Sequence, residues 1–127
     1  MAVNKRSPRD VDVHVGTRVL VAWHMRNMKQ EDVARQLGVT FQQVQKYEKG
    51  SNRISASRLY QFATIMGVPI LFFFEGVNDT GKIDPAVARA TRFLSTRQST
   101  LIADSFPGLG KQLQQAILGL VKAGRGR

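Results

Sequence analysis

The sequence predicts an all-α protein in which a five-helix domain is followed by a C-terminal helical segment. Apolar residues recur at helical spacing along most of the chain, no segment alternates as a strand would, and glycine follows several of the periodic segments. The 127 residues are enough for one small domain with an appendage, and the 43% of hydrophobic residues can supply its core. We therefore expect a folded chain built from short helices.

The first two helices are predicted from their apolar periodicity and their ends. Residues 12–24 form the first helix, with Asp12 as its N-cap and Trp23 beside an apolar face. Residues 30–37 form the second helix, which carries acidic residues in its first turn and stops at Gly38.

Capping residues define the next two helices. Thr40 is a good N-cap, and Gln43 three residues later completes a capping box of the T-x-x-Q kind; Gly50 then ends the third helix. Ser55 caps a fourth helix, which Gly67 ends. Two short helices thus follow each other closely before a longer one.

The rest of the chain divides into three parts. Pro69 opens a fifth short helical segment over residues 70–74, whose apolar run predicts core packing, with a dimer contact as the alternative. Residues 77–87 mix Gly, Asn, Asp and Pro and predict a linker. Residues 88–127 carry amphipathic spacing for two or three helices, which Pro107 interrupts.

The charge balance indicates a polyanionic partner. Nineteen Lys and Arg against nine Asp and Glu give a net charge of +10 at neutral pH. Nucleic acid is the first candidate, and an anionic membrane surface is the second; the second requires cations gathered on one helix face, where the C-terminal helix offers only Lys111 and Lys122. No signal peptide and no membrane span are predicted, so we expect a cytoplasmic protein.

No catalytic or metal chemistry is predicted. The absence of Cys excludes disulfides, thiolate zinc sites and cysteine nucleophiles. His14 and His24 lie without a carboxylate cluster at ligand spacing, and the stretch from Gly108 to Lys111 lacks the remaining residues of a phosphate-binding loop. We expect no enzyme activity, no cofactor and no metal.

The second and third helices have the spacing of a helix-turn-helix. Gly38 supplies the left-handed residue that the steep turn between them requires. At about 100° per residue, Val44 and Tyr47 lie on the buried side of the third helix, with Phe41 and Gln43 at its flanks. The outward face then carries amides and cations, which can bond base edges and phosphates: Gln42, Gln45, Lys46 and Lys49.

These residues also resemble a family. The stretch from Val15 to Gly76, and most specifically TFQQVQKYEKGSNRISASRL, is similar to the cro/C1-type (XRE) helix-turn-helix domain of bacterial and phage regulators. The resemblance implies a lambda-repressor-like domain over residues 11–76 with its helix-turn-helix at about 30–49, preceded by a basic arm over residues 1–10. The arm, with Lys5, Arg6 and Arg9, follows the DNA backbone or is disordered.

The resemblance implies which side chains contact double-stranded DNA. The third helix becomes the recognition helix, and its candidates for reading bases in the major groove are Thr40, Phe41, Gln42, Gln45 and Lys46. Phe41 either touches a thymine methyl group or completes the core. The candidates for phosphate contacts, which fix the register, are Lys29, Gln30, Gln43, Lys49, Asn52, Arg53 and Arg58.

The chain departs from the family pattern at two positions. Trp23 stands where the family often has an Arg that pairs with Glu48, so we expect Trp23 to pack and Glu48 to need another partner. Lys29 stands where a Ser or Thr normally caps the second helix, which leaves that end less well capped.

The resemblance implies a DNA-binding transcriptional regulator, a repressor acting as a homodimer on an inverted repeat. An apolar stripe in the C-terminal helices either mediates dimerisation or packs back on its own domain; its members are Leu109, Leu113, Ile117 and Leu120. The alternative function is that of an antitoxin-like module, which binds a protein partner through the C-terminal helices and represses its own gene.

Overall fold

The computed structural model describes residues 9–125 as an all-α chain. Seven α-helices lie within this range, and two short 3-10 helices follow α4 and α6. Their bounds are α1 Arg9–Met25, α2 Gln30–Leu37, α3 Phe41–Lys49, α4 Ala56–Met66, a 3-10 helix Ile70–Phe74, α5 Pro85–Phe93, α6 Arg97–Ser105, a 3-10 turn Phe106–Gly108, and α7 Lys111–Arg125. The predicted fold class is confirmed.

The glycine and N-cap residues in the sequence predict most of these helix ends correctly. Gly38, Gly50 and Gly67 follow α2, α3 and α4 with φ between 67° and 74°, the left-handed conformation in which glycine has no Cβ penalty. The Thr40 hydroxyl accepts a hydrogen bond from the backbone N–H of Gln43 at 3.2 Å, as its predicted N-cap role requires.

The start of α1 was predicted wrongly. Asp12 is not the N-cap, because the helix begins at Arg9 and Asp12 lies in its first turn together with Asp10. Carboxylates near a helix N-terminus interact favourably with its dipole, so the acidic turn extends the helix backwards. Of the predicted basic arm, residues 1–8 lie outside the described part of the chain.

The predicted linker is shorter than expected and contains an ordered turn. Val77 and Ile83 pair as an isolated antiparallel bridge, and the Asn78 side chain accepts the backbone N–H groups of Thr80 and Lys82. The helix α5 begins at Pro85, inside the predicted linker, because the preceding aspartate caps it and proline is favourable at the first helical position.

The core lies where α1, α2, α3, α4 and the first 3-10 helix meet. Its fully buried side chains are Val19, Val33, Val44, Phe62, Met66 and Phe73. Of the apolar run 70–74, Phe73 lies in this core, whereas Leu71 is 73% exposed. The segment is therefore only partly the core helix that its composition predicts.

A buried arginine ties α5 to this domain. Arg18 on α1 donates to the carbonyl of Phe72 at 3.0 Å and to the Thr91 hydroxyl at 3.3 Å, and it pairs with the Glu75 carboxylate. The imidazole of His14 also bonds the Glu75 carbonyl, at 2.8 Å. The bond between Arg18 and Thr91, which are 73 residues apart in sequence, thus joins α5 to the five-helix domain.

Candidate nucleic-acid interface

The helix α3 presents its polar face outwards. Val44 and Tyr47 are 0% and 8% exposed, and they anchor the opposite side of the helix in the core. Gln42, Lys46 and Lys49 are exposed and Gln45 is half-buried. The predicted division of α3 into a buried and an outward face is therefore confirmed.

Phe41 and Thr40 lie at the N-terminal end of the same face. Phe41 is 43% exposed, so its ring does not complete the core and remains available to a ligand in front of α3. Thr40 is exposed but already caps the helix through its hydroxyl oxygen. An exposed α-helix has the dimensions to enter a major groove.

Close packing against α1 fixes the position of α3. A Cβ placed on Gly16 would lie 2.2 Å from the Tyr47 carbonyl oxygen and 2.9 Å from that of Glu48, so only glycine allows the two helices to approach this closely. This glycine is within a helix and has no role in a turn. Sequence reasoning missed it, because the contact lies between segments about 30 residues apart.

Four side chains of α1, α2 and α3 form a chain of hydrogen bonds, which we call the amide network. The indole N–H of Trp23 donates to Glu48 Oε2 at 2.6 Å, and the Gln30 amide donates to Glu48 Oε1 at 2.8 Å. The Gln45 amide donates in turn to Gln30 Oε1 at 3.4 Å. Trp23 thus packs, as expected, and it also donates to Glu48, for which the sequence predicted a need for another partner; Gln30 is a second donor.

Burial controls the acidity of Glu48. It raises the pKa of the Glu48 carboxyl, and the hydrogen bonds from Gln30 and Trp23 and the nearby charge of Lys49 act in the opposite direction. The carboxylate accepts from two donors and is half-buried, so it does not interrupt the cationic outward face of α3.

The phosphate candidates fall into two groups. Lys29, Lys49 and Asn52 are exposed, Gln43 is half-buried on α3, and Gln30 belongs to the amide network. The other group already makes ion pairs or helix-end contacts within the protein. Arg53 lies 3.3 Å from the Asp12 carboxylate, and Arg58 donates to the Leu37 carbonyl at the end of α2.

The N-terminal end of α2 is only partly capped, as expected. Lys29 makes no side-chain cap hydrogen bond, and the Asp32 side chain accepts the backbone N–H of Lys29 at 3.2 Å, which is the returning half of a capping box. A hydrogen bond from Arg35 at 2.6 Å, together with that of the Lys29 backbone, lowers the pKa of the Asp32 carboxyl.

The C-terminal segment also reaches the helix-turn-helix. Arg97, the first residue of α6, donates to the Met28 carbonyl just before α2, and its guanidinium lies 5.3 Å from the centroid of the Trp23 ring. Sequence reasoning did not select this arginine, because nothing in the local pattern around α6 marks a contact 69 residues away.

The apolar stripe of α7 is largely exposed. Leu113 and Leu120 are 52% and 74% exposed, and Ile117 is half-buried, as is Leu109, which precedes α7. Gln114 of this helix bonds the Phe106 carbonyl at 2.7 Å, and α7 has no extensive packing contact with the five-helix domain in the described chain.

Residues 9–125 contain neither a metal-ligand cluster nor a membrane-spanning helix. No group of three or more potential metal ligands lies together within that range. No helix there is both long and apolar enough to cross a membrane.

Comparison with known proteins identifies the domain. A helix-turn-helix family model matches residues 25–73, which contain α2, α3 and α4. The chain is 39% identical over 131 residues to an HTH-type transcriptional regulator of Sinorhizobium medicae, covering 97% of this chain and 94% of that one. It belongs to the XRE family of helix-turn-helix transcriptional regulators. The relatives are DNA-binding regulators of the helix-turn-helix type, and the family match includes α3.

Other relatives differ in how much of the chain they share. A transcriptional regulator in the ATPase CF(0) region of Rhodospirillum rubrum is 50% identical over 80 residues, which are 63% of this chain and 71% of that one. An HTH-type transcriptional regulator of Rickettsia prowazekii is 30% identical over 118 residues, or 92% and 87% of the two chains. No solved structure matches the chain.

Proposed function

We propose that this regulator is a repressor that reads a specific DNA sequence as a homodimer, with one α3 in the major groove of each half-site. The observation that carries the proposal is the outward face of α3, on which Gln42, Gln45 and Lys46 lie opposite the buried Val44 and Tyr47. Glutamine can bond adenine through two hydrogen bonds, and lysine can bond guanine or a phosphate.

The phosphate contacts would come from both sides of α3. Lys29 and Gln30 lie at the start of α2, where the helix N-terminus also favours an anion. Lys49 is the last residue of α3, and Asn52 and Arg53 follow it. Gln43 and Arg58 complete the proposed set.

The dimer would form through the stripe on α7. Leu113 and Leu120 expose apolar surface that a second copy of the same helix can cover, and a two-fold dimer places its reading helices about 34 to 36 Å apart on an inverted repeat. In the cell, such a protein would be cytoplasmic and bound to the nucleoid.

The experiment is selection of bound fragments from the genomic DNA of the source organism by the purified protein. The proposal predicts a palindromic motif, lost when Gln42 and Lys46 are both replaced by alanine. A matched control replaces Gln98 and Lys82, an exposed amide and an exposed cation away from α3, and it should recover the same motif. Recovery of no motif by the wild-type protein contradicts the proposal.

The same exposed stripe favours a second candidate, an antitoxin-like module whose α7 binds a different protein. This function requires a toxin gene beside the gene for this chain and a stable complex between the two purified products. A homodimer that neither binds nor is altered by the neighbouring product excludes it.

A further inference from the structure

Arg97 brings the C-terminal segment against the rear of the helix-turn-helix. Arg97 lies outside the residues that match the helix-turn-helix family, 25–73, and yet its guanidinium rests over the ring of Trp23 and bonds the Met28 carbonyl. A guanidinium over an indole ring is attracted by the negative face of the ring, and the Met28 bond fixes its direction. The first turn of α6 is thereby fastened to the turn between α1 and α2.

The amide network continues from this contact to the surface of α3. The Trp23 ring that Arg97 covers donates its N–H to Glu48 at 2.6 Å, and the second Glu48 oxygen accepts from Gln30 at 2.8 Å. A positive charge over the ring strengthens the indole N–H as a donor, since hydrogen bonds in a partly buried network polarise one another.

The carboxylate sets the orientation of both amides. An ionised Glu48 can only accept, so Gln30 must turn its NH₂ group towards it and its oxygen towards Gln45. Gln45 must then donate to Gln30, at 3.4 Å, which leaves its own carbonyl oxygen and its second N–H for a ligand. Each amide in the chain therefore has one favoured orientation, decided at Glu48.

We propose that Arg97 is a positioning residue for DNA reading, which holds Trp23 against Glu48 and so fixes the orientation in which Gln45 meets a base. The inference rests on the proposed function, because it requires Gln45 to face DNA. It goes beyond that function because it makes the C-terminal segment a determinant of sequence recognition as well as of assembly. Whatever lifts α6 from the α1–α2 turn would then weaken specific binding.

The first experiment needs no DNA. The chain has a single tryptophan, so its indole N–H gives one resonance in a ¹H–¹⁵N spectrum of the full-length protein. Replacing Arg97 by alanine should shift this resonance and the side-chain amide resonances of Gln30 and Gln45. The matched control Arg89→Ala removes an equal charge from an exposed position of α5 and should shift none of them.

The second experiment measures binding to the selected operator over a series of salt concentrations. Arg97→Ala should weaken specific binding by about fivefold, the size of effect expected along a packed network, with an unchanged salt slope. The loss should vanish in a Gln45→Ala background, because Arg97 acts through Gln45. Arg97→Lys keeps a cation over the ring and should recover part of the affinity; it also serves as the test variant if Arg97→Ala fails to fold.

Other outcomes overturn the inference. An Arg97→Ala spectrum with unmoved indole and amide resonances means that the network does not depend on Arg97. An equal loss of affinity in the wild-type and Gln45→Ala backgrounds, with a salt slope lower by about one, means that Arg97 contacts a phosphate directly. The failure of the proposed function is distinguishable from both, since the wild-type protein itself would then select no motif.

Discussion

Replacement of Gly16 by alanine should separate α1 from the recognition helix. The added Cβ would lie 2.2 Å from the Tyr47 carbonyl oxygen and 2.9 Å from that of Glu48, and both are backbone atoms that cannot rotate away. Ordinary contact requires the two helices to move apart by about 1 Å. That movement opens the core at Val19 and Val44 and stretches the bond between Trp23 and Glu48.

The expected loss of stability is the cost of overpacking and of a stretched hydrogen bond, less a gain in helix propensity. Overpacking of a core typically costs about 1 to 3 kcal/mol, and the network bond that is stretched adds to this cost. The better helix propensity of alanine returns about 1 kcal/mol. We therefore expect Gly16→Ala to lower the free energy of unfolding by about 2 kcal/mol, and to weaken operator binding because α3 is displaced.

The assay is urea unfolding followed by the fluorescence of Trp23 and by circular dichroism. The matched control is Gly119→Ala in α7, where a Cβ would meet no atom within 4 Å and should cause no loss of stability. A Gly16→Ala protein as stable as the wild type, with unchanged operator affinity, would refute the argument that this contact positions α3.

Three further predictions concern the ion pair, the buried acid and the apolar stripe. Asp12→Asn removes the carboxylate 3.3 Å from Arg53 and should raise DNA affinity about threefold, as measured by titration at low salt. Burial raises the pKa of Glu48, so the folded state binds this proton more tightly than the unfolded state, and stability falls as pH rises through that window. As the pH is lowered from neutral to about 4, the free energy of unfolding of the wild type should therefore increase relative to that of Glu48→Gln. Leu113→Asp with Leu120→Asp should yield a folded monomer by sedimentation equilibrium, because both side chains are more than half exposed.

Each of these predictions has a clear contrary result. Unchanged affinity for Asp12→Asn means that the Arg53 guanidinium does not approach DNA. A stability difference between the wild type and Glu48→Gln that stays constant with pH means that Glu48 titrates alike in both states. A double leucine variant that remains dimeric means that the interface lies in the first domain. The variant Gln115→Asp, on the other side of α7, controls for the added charge.

The sequence predicts this fold well wherever the signal is local. Gly38 and Gly50 end their helices in the conformation that only glycine adopts freely, and Thr40 caps α3, because these preferences act within a few residues. The helical period likewise places Val44 inwards and Lys46 outwards. The outward face of α3 therefore follows from the residue order alone.

What supports that face could not be derived in the same way. The contact of Arg97 with Trp23 and the close approach at Gly16 join distant segments, and no periodicity encodes which distant segments meet. The resemblance to a family did show that Glu48 lacks its usual partner. It could not show that Trp23, which stands in the place of that partner, donates a hydrogen bond to Glu48 through its indole N–H.

The central claim is that α3 reads a DNA sequence, and an equilibrium competition between the selected operator and a scrambled fragment of equal length tests it most directly. The wild-type protein should prefer the operator by about a thousandfold or more at physiological salt. Replacement of Gln42 and Lys46 by alanine should abolish this preference while leaving salt-dependent binding to both fragments. Equal affinity of the wild-type protein for the two fragments would contradict the claim and would attribute DNA binding to net charge alone.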